Sequence, residues 1–442
     1  MDRSSSRRRR RPPTRSNARR ITLGGTTGIL LIAIILFVQY GLGIDVLNTE
    51  TSTGDKPPPA EVAEPVEVSS EALARIPGGY DGGWFQLYFS SPDGSSDPAN
   101  YVNSPVEAAL VTALDGAQQT VDVAIYELES QPITDALIRA AERGVRVRVV
   151  TDGEYGLESP DATFDQLELA GIPIVSDGTR RGYMHNKFVV IDGLYVWTGS
   201  TNLKPNAFYR NNNNAMLIRS SRLAQNYTAE FEELFAGQFG KTSPAEIPNQ
   251  TVMVSGTQIE TYFESEGDLG ARLAELISEA RSVRFMAFSF TESLEWVEDG
   301  VPRSVMLLLR DRALAGELEV RGIIEASSRS QVTPLLSAPA WAGALGMTDP
   351  DEVGDRSQIE PLVCAHLNVR QDGNPYVMHH KVFIFDEAIV AMGSFNFSKR
   401  ASSDNDENML IIHNPAVARA YLEEFSRLWA ESQVIPESAF DC

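Results

Sequence analysis

The feature that most constrains the fold is an internal repeat, because the chain carries the same series of segments twice. Three pairs of segments match in the same order: 120–130 with 282–293, 145–152 with 318–326, and 184–202 with 378–396. Aligned residues are offset by 162, then 173, then 194 positions, so the second copy gains 11 and then 21 residues. Such a repeat predicts two structural units of one type.

The spacing of apolar residues within each copy predicts a mixed α/β fold. Amphipathic stretches at 106–117 and 269–280 precede the first matched strands. A further helix is expected after Pro132, ending before Gly144. Each copy reads helix, strand, helix, strand and a two-strand motif, which is typical of α/β proteins. We assign residues 79–245 to the first repeat and 246–442 to the second.

The first 78 residues are predicted to lie outside the repeats. Residues 1–20 hold nine arginines, whereas residues 21–44 contain no charge. A helix of that length spans a bilayer core of about 30 Å, with the arginines on the cytoplasmic side. We expect a single-pass anchor with a cytoplasmic N-terminus and an extracytoplasmic body; a cleaved signal peptide is the alternative. Residues 45–78, rich in Pro, Glu, Thr and Ser, are predicted to be a flexible linker.

Charge and cysteine content limit the partners of the body. The chain has 38 basic and 60 acidic residues, a net charge of -22. The nine arginines near the N-terminus leave the rest more acidic still, which disfavours general binding of polyanions. Cys364 and Cys442 are too few for a Cys-rich zinc module. They can form one disulfide in an oxidising compartment, or remain two free thiols.

The third pair of segments carries the residues best suited to chemistry. Five features keep the offset of 194 residues: His185 with His379, Lys187 with Lys381, Asp192 with Asp386, Ser200 with Ser394, and Asn202 with Asn396. The chain has only five histidines, so a chance duplication of this pattern is improbable. The duplicated motif therefore indicates a functional site.

The spacing of these residues predicts how they act. Residues at i and i+2 of a strand share a face, so His185 and Lys187 project together, while His380 faces the opposite side. A histidine can attack phosphorus or protonate a leaving oxygen, and a lysine stabilises a phosphate oxygen. The serines and asparagines are expected to donate to the same oxygens. Two facing half-sites would hold one phosphodiester between two histidines, without a metal or another cofactor.

The duplicated H-x-K-x4-D, followed by G-S-x-N, resembles the phospholipase D superfamily over about residues 84–435. The resemblance implies two tandem α-β-α repeats in a pseudo-twofold sandwich with one shared active site. It also implies a phosphohistidine intermediate that water or an alcohol then cleaves. The catalytic residues implied are His185, Lys187, Asp192, His379, Lys381 and Asp386. The implied phosphate-binding or supporting residues are Ser200, Asn202, Asn213, Ser394, Asn396 and Glu407.

One position departs from the family pattern. Glu407 lies 11 residues after Asn396, but Asn213 occupies the same position in the first copy. If each residue contacts the histidine of its own half, a carboxylate supports protonated His379 and an amide orients neutral His185. This favours His185 as the nucleophile and His379 as the general acid. Asn213 also leaves open that the first half-site is weakened.

The predicted function is metal-independent cleavage of phospholipid head-group phosphodiester bonds by a membrane-anchored enzyme. The alternatives are an endonuclease, a phosphatidyltransferase and a non-catalytic phosphate-binding module. The substrate partner is a phospholipid membrane, with nucleic acid as the second choice, and no obligate protein partner is inferred. His366 and His413 are expected to be structural or surface residues. The inserted segment 327–361, with Trp341, is predicted to be either a lid or a cover for the core.

Overall fold

The computed structural model describes residues 73–92, 98–244, 247–264, 268–325, 359–437, 440 and 442. The predicted anchor at 21–44, the basic segment before it and most of the inserted segment 327–361 lie outside these residues. Within the described part of the chain, no helix has both the length and the apolar character needed to cross a membrane.

The described residues form a mixed α/β fold with two nine-stranded sheets. The strands of the first sheet are β1 (Ala74–Ile76), β2 (Gly79–Asp81), β3 (Phe85–Phe89), β4 (Thr120–Ile125), β5 (Arg146–Thr151), β6 (Ile174–Ser176), β7 (Lys187–Ile191), β8 (Tyr195–Gly199) and β9 (Asn214–Arg219). Their order is β1-β2-β3-β9-β8-β7-β4-β5-β6. The neighbours β4, β5 and β6 are parallel, and the other pairs are antiparallel.

The second sheet repeats this arrangement. Chain order from residue 251 gives the strands β10 (Thr251–Val254), β11 (Thr257–Phe263), β12 (Ser282–Ala287), β13 (Glu295–Glu298), β14 (Val301–Ser304), β15 (Glu319–Ile324), β16 (Asn368–Gln371), β17 (Lys381–Phe385), β18 (Ile389–Gly393), β19 (Asn408–His413) and β20 (Gln433–Val434). The sheet order is β10-β11-β19-β18-β17-β12-β15-β16-β20, while β13 and β14 form a separate hairpin. Seven consecutive strands thus match the order β3-β9-β8-β7-β4-β5-β6, as the sequence repeat predicts.

Helices connect and cover the strands. The described α-helices are α1 (Pro105–Asp115), α2 (Gln131–Glu142), α3 (Phe164–Leu169), α4 (Pro205–Tyr209), α5 (Ser221–Phe235), α6 (Leu269–Glu279), α7 (Val305–Leu314), α8 (Glu360–Val363) and α9 (Pro415–Glu431). The start of α2 is fixed by Ser130, whose side chain accepts a hydrogen bond from the Ile133 amide. Gly144, just past its end, has a φ of 88°, so the helix predicted after Pro132 is confirmed.

The first strand of the first sheet lies in a segment that the sequence assigns to the linker. Residues 74–76, which the sequence assigns to the linker, form β1 and pair with β2. The turn between them contains Pro77 and Gly78, and Gly78 has a φ of 71° that favours glycine. A proline–glycine turn therefore closes a hairpin inside the predicted linker.

The core that holds the two sheets together contains residues of both halves. Phe188 and Met216 of the first sheet share it with Ile384 and Leu410 of the second, and α5 and α9 add one apolar face each. Separate clusters on the outer faces pack α1 and α2 on the first sheet and α6 and α7 on the second. The strands near the sheet centres are buried on both faces, which explains their nearly continuous apolar sequence.

The 11 additional residues of the second copy fall where the β13–β14 hairpin precedes α7. The 21 further residues fall largely in a range outside the described residues.

Cys364 and Cys442 form a disulfide, with their Cα atoms 5.3 Å apart. Of the two states that the sequence leaves open, the structure therefore has the disulfide.

Leu410 tests whether the central core is shared. Leu410→Ala removes a fully buried side chain, and we expect it to lower the free energy of unfolding by about 2–5 kcal/mol. Because both halves line this core, chemical denaturation should still show one transition. The matched variant Leu169→Ala, at a position 88% exposed, should change stability by less than about 0.5 kcal/mol. Two separate transitions, only one of them shifted, would contradict a shared core.

Candidate active site

The two His-x-Lys pairs lie at equivalent places, where β7 and β17 begin. Lys187 and Lys381 are the first residues of these strands. The Lys187 Nζ donates a hydrogen bond to the His185 carbonyl at 2.8 Å, and the Lys381 Nζ donates to the His379 carbonyl at 3.1 Å. Each ammonium group therefore lies beside its own histidine, as the i, i+2 spacing predicts.

The histidine side chains are bonded across the two halves. The His185 Nδ1 lies 2.7 Å from the Oε1 of Glu407, which belongs to the second half. The His379 Nδ1 lies 2.9 Å from the Oδ1 of Asn213 and 3.0 Å from the Ser200 carbonyl, both of the first half. The premise that each residue contacts the histidine of its own half is therefore wrong. The carboxylate faces His185, and the amide faces His379.

The two serines hold these partners in place. The Ser394 hydroxyl donates to the Glu407 Oε2 at 2.6 Å, and the Ser200 hydroxyl donates to the Asn213 Oδ1 at 2.9 Å. The Nδ2 of Asn405 donates to the Glu407 Oε1 at 3.0 Å. Both serine protons are used within the protein. This contradicts the expectation that the serines donate to a phosphate, and it makes them supports for the groups behind the histidines.

Backbone hydrogen bonds join the halves beside both histidines. The His185 amide donates to the Asp406 carbonyl at 3.0 Å, and the His379 amide donates to the Asn212 carbonyl at 2.8 Å. Arg180 adds an ion pair from the first half to the Asp406 carboxylate. The position of each histidine therefore depends on a loop of the other half, the one before β19 for His185 and the one before β9 for His379.

Burial and the two lysines set the protonation of the site. Burial lowers the pKa of His185 well below 6.5, and the charges of Lys187 and Lys381 lower it further. Burial also lowers the pKa of His379, followed by the charges of Lys381 and Lys187. Each lysine therefore acts on both histidines. The lowered pKa favours the neutral form of each imidazole in the free site, and a neutral imidazole has a nitrogen lone pair available for attack.

Two aromatic rings next to the histidines are not predicted from the sequence. The Tyr126 ring lies 4.8 Å from the His185 ring, and the Phe288 ring lies 5.0 Å from the His379 ring. Lys187 and Lys381 place their Nζ atoms 5.0 and 4.7 Å from the same two rings. The signal was present in the sequence, because Tyr126 and Phe288 follow β4 and β12 at the first offset of the repeat.

The two asparagines of the G-S-x-N segments, Asn202 and Asn396, are buried just after β8 and β18. The Oδ1 atoms of Asn202 and Asn396 are buried and have no hydrogen-bond partner. The Asn202 Nδ2 donates to Glu127, which also accepts from Lys204. Each half thus contributes one buried amide oxygen that accepts no hydrogen bond from the described residues. Such an oxygen favours a ligand that donates a hydrogen bond to it.

The motif aspartates lie apart from the histidines. Asp192 follows the far end of β7 and accepts hydrogen bonds from the backbone amides of Gln118, Gln119 and Thr120. Asp386 follows β17 and accepts from the amides of Arg281 and Ser282, at 2.8 Å each. Grouping the aspartates with the catalytic residues therefore does not match the structure. Their carboxylates hold the turn that enters β4 or β12.

The remaining histidines have structural surroundings. His380 faces away from His379, as predicted, and contacts Glu424 at 3.2 Å and Asn214 at 3.0 Å. His413 pairs with Glu260, and the exposed His366 pairs with Glu437.

Comparison with known proteins identifies the family. A family model described as "Cardiolipin synthase, PLD-like domain" matches residues 110–235 and 273–429, which is more than half of the chain. The chain belongs to the phospholipase D superfamily. Each matched range contains one His-x-Lys motif, in agreement with the resemblance inferred from the sequence.

Relatives of this superfamily member match only part of it. A mitochondrial cardiolipin hydrolase of Xenopus laevis is 35% identical over 140 residues, covering 32% of this chain and 65% of the relative. A phospholipase D of Rickettsia prowazekii (strain Madrid E) is 35% identical over 118 residues, covering 27% of this chain and 57% of the relative. The matches thus span somewhat less than two thirds of these curated relatives.

Solved structures support the fold. The phosphatidylserine synthase of Haemophilus influenzae Rd KW20 aligns over 75% of this chain and 86% of its own, with a TM-score of 0.55 at 15% identity. At that identity the likeness concerns the arrangement of strands and helices alone.

Asp192 tests the structural placement of the motif aspartates. Asp192→Ala leaves three backbone amides without their acceptor, so we expect a loss of about 1–3 kcal/mol in the free energy of unfolding. The turnover of the protein that remains folded should stay within about twofold, because the carboxylate contacts neither histidine. Urea denaturation and activity per folded molecule measure the two effects. Asp161→Ala, at an exposed position, is the control. Lost turnover with unchanged stability would place Asp192 in the catalytic machinery.

Proposed function

We propose that this protein is a phospholipase D-type phosphodiesterase that hydrolyses phospholipid head-group bonds at one site shared by its two halves. The observation that carries the proposal is the crossed pairing of His185 with Glu407 and of His379 with Asn213. Each histidine then has Nδ1 occupied and Nε2 as the nitrogen left for substrate. Two such nitrogens with two lysines suit attack on phosphorus followed by proton transfer.

In the first proposed step, the Nε2 of His185 attacks phosphorus and the bond to the leaving alcohol oxygen breaks. His379, which carries protons on both ring nitrogens once the anionic phosphate is bound beside it, transfers its Nε2 proton to that oxygen, so the head group leaves with a hydroxyl group. In the second step, water attacks phosphorus while His379 takes the proton of the water. The phosphorus–nitrogen bond then breaks, which releases a phosphomonoester and restores His185. Protons and charge balance over the cycle.

The Glu407 carboxylate beside His185 supports His185 as the nucleophile. An imidazole bonded to phosphorus at Nε2 and to hydrogen at Nδ1 carries a positive charge. The Glu407 carboxylate, 2.7 Å from the His185 Nδ1, stabilises that charge and holds the tautomer with a free Nε2. The neutral groups around the His379 Nδ1 stabilise its imidazolium less, so protonated His379 gives up its proton readily. The roles of His185 and His379 are therefore kept, on different grounds.

The other site residues support the same chemistry. Lys187 and Lys381 supply positive charge to the phosphate oxygens. With this charge provided by the chain, we propose that the reaction does not depend on a metal ion. The unused Oδ1 atoms of Asn202 and Asn396 accept from the attacking water or a substrate hydroxyl. The Tyr126 ring, 4.8 Å from the His185 ring, packs beside the proposed nucleophile.

Charge favours a lipid over a nucleic acid as substrate. The net charge of -22 repels a polyanion at long range. Of the bases that the sequence places near the motif, Lys204 pairs with Glu127, and Arg210 stacks on Tyr376 at 3.6 Å. The names of the relatives, cardiolipin hydrolase and phospholipase D, point to the same substrate class. The proposal includes attachment to a membrane through residues 21–44, with the body outside the cytoplasm.

The proposed function is tested with the full-length protein in EDTA. The protein is incubated separately with mixed phospholipid vesicles and with single- and double-stranded DNA. We expect release of lipid head groups and no DNA cleavage. His185→Ala should reduce release by a thousandfold or more. His366→Ala removes an exposed histidine and should have no effect.

The other outcomes of this experiment identify the alternatives. DNA cleavage without lipid turnover would make the protein a nuclease and the charge argument wrong. Transfer of the lipid phosphate to an added alcohol in place of water would indicate a phosphatidyltransferase. Phosphate binding without turnover of either substrate would indicate a binding module. A phosphohistidine trapped by acid quench on His379 instead of His185 would reverse the assigned roles.

Asn213→Asp tests the role of His379 separately. The new carboxylate raises the pKa of His379, because it stabilises the protonated ring. A general acid acts only below its pKa, so the alkaline limb of the pH profile of kcat/KM should move to higher pH. Asn211→Asp adds the same charge two residues away and should move the limb much less. A shift of the acidic limb alone would show that the residue facing Asn213 acts as a base.

A further inference from the structure

The second half contains a cavity at the element that breaks the repeat. The 11 additional residues of the second copy fall where β13 and β14 form a hairpin that belongs to neither large sheet. In the first half, the chain runs from β4 to α2 with no strand between them. The hairpin leaves Val297 and Val301 more than half exposed, so it packs on the protein with one face only.

The hairpin forms one wall of a cavity of about 450 Å³. This volume lies in the range of small-molecule sites. Trp296 and Val297 of the hairpin line it, together with Tyr262 of β11 and Phe395 of the G-S-x-N segment. Among the described residues that line it, there is no histidine of either motif. The cavity is therefore separate from the candidate active site.

The charged groups in the cavity are mainly acidic. Glu264, Asp268 and Glu295 line it, against one base, Lys399. The start of α6 adds a partial positive charge of roughly one half, but Asp268 caps it by accepting from the Ala271 amide. Three carboxylates outweigh one exposed ammonium group and one helix end. The cavity therefore favours a positively charged ligand.

Glu264 is the least exposed of the three carboxylates. Burial raises its pKa to about 7, followed by the charge of Glu407, while Lys241 opposes the rise. A half-buried carboxyl with too little compensating positive charge is stabilised in its ionised form by a cation placed beside it, so a bound cation favours the carboxylate form of Glu264. The aromatic rings of Trp296 and Tyr262 add the electrostatic attraction that such rings exert on cations.

We propose that this cavity is a binding site for a small organic cation with an apolar body, such as a quaternary ammonium compound. The cationic group lies beside Glu264, and the apolar part contacts Trp296, Tyr262 and Phe395. A metal ion fits this lining less well, because aromatic rings and methyl groups provide no ligand atoms for it. The proposal does not depend on the proposed function.

The position of the cavity connects it to the candidate active site through two contacts. The Glu264 amide donates to the Glu407 carbonyl at 3.1 Å, and Phe395 precedes Asn396 directly. Two residues that line the cavity therefore adjoin the candidate active site: Glu264 is hydrogen-bonded to Glu407, and Phe395 is the neighbour of Asn396 in the chain. Because binding of the cation can be measured directly, the test of this site does not require catalytic turnover.

The test is calorimetric titration of the full-length protein with benzyltrimethylammonium, alongside its neutral isostere neopentylbenzene. We expect saturable binding of one cation per chain and at least tenfold weaker binding of the isostere. Trp296→Ala and Glu264→Gln should each weaken cation binding by fivefold or more. His185→Ala, in the candidate active site, and Glu279→Gln, an exposed carboxylate on α6, should leave it unchanged.

Three results would overturn the proposal. The first is the absence of saturable binding by the unaltered protein. The second is equal affinity for the cation and its isostere, which would make the cavity a purely apolar site. The third is binding that survives in Trp296→Ala and Glu264→Gln but disappears in His185→Ala, which would place the cation among the motif residues. Circular dichroism of each variant checks that the fold is kept.

Discussion

The exchange of hydrogen-bond partners between the two halves is the interaction on which this structure depends. His185 is held by Glu407 through its side chain and by Asp406 through its backbone, and both residues precede β19 in the other half. His379 is held in the same way by Asn213 and Asn212 before β9. Neither half contains a complete setting for its own histidine. The site can therefore form only when both sheets are folded and docked.

The reverse sides of the same strands show why the docking is specific. Asn186 lies between His185 and Lys187 in the chain, and His380 lies between His379 and Lys381. Both side chains are buried on the side of the strand that faces away from the motif. The Asn186 Oδ1 accepts a hydrogen bond from the Asn408 Nδ2 of the other half at 2.8 Å, and the His380 Nδ1 lies 3.0 Å from the Asn214 Nδ2 of the other half. Buried polar groups cost free energy unless they are paired. These pairs form in one docking arrangement, so they penalise other ways of packing two mainly apolar faces.

Much of this arrangement is predictable from the sequence, because the repeat fixes which residues correspond. The alternation of a strand predicts that Lys187 lies beside His185 and that His380 faces away, and both predictions are confirmed. The partner of Glu407 is not predictable in this way. Correspondence along the chain says which residues are equivalent, but not whether a loop contacts its own half or the other. The prediction that Asp192 is catalytic fails for a similar reason. Lys187 and Asp192 lie at opposite ends of β7, so the conserved spacing between them along the chain places Asp192 far from the histidines.

The pairing of Glu407 and Asn213 has a consequence for how such a molecule can diverge. In a homodimer built from one short chain, a single codon would specify the residue behind both histidines, and the two would always share one charge. Covalent fusion of two copies removes that restriction, because each position is encoded separately. The same freedom let one copy alone acquire the β13–β14 hairpin. The residues at 407 and 213 can therefore differ in charge, although they occupy equivalent positions in the two copies.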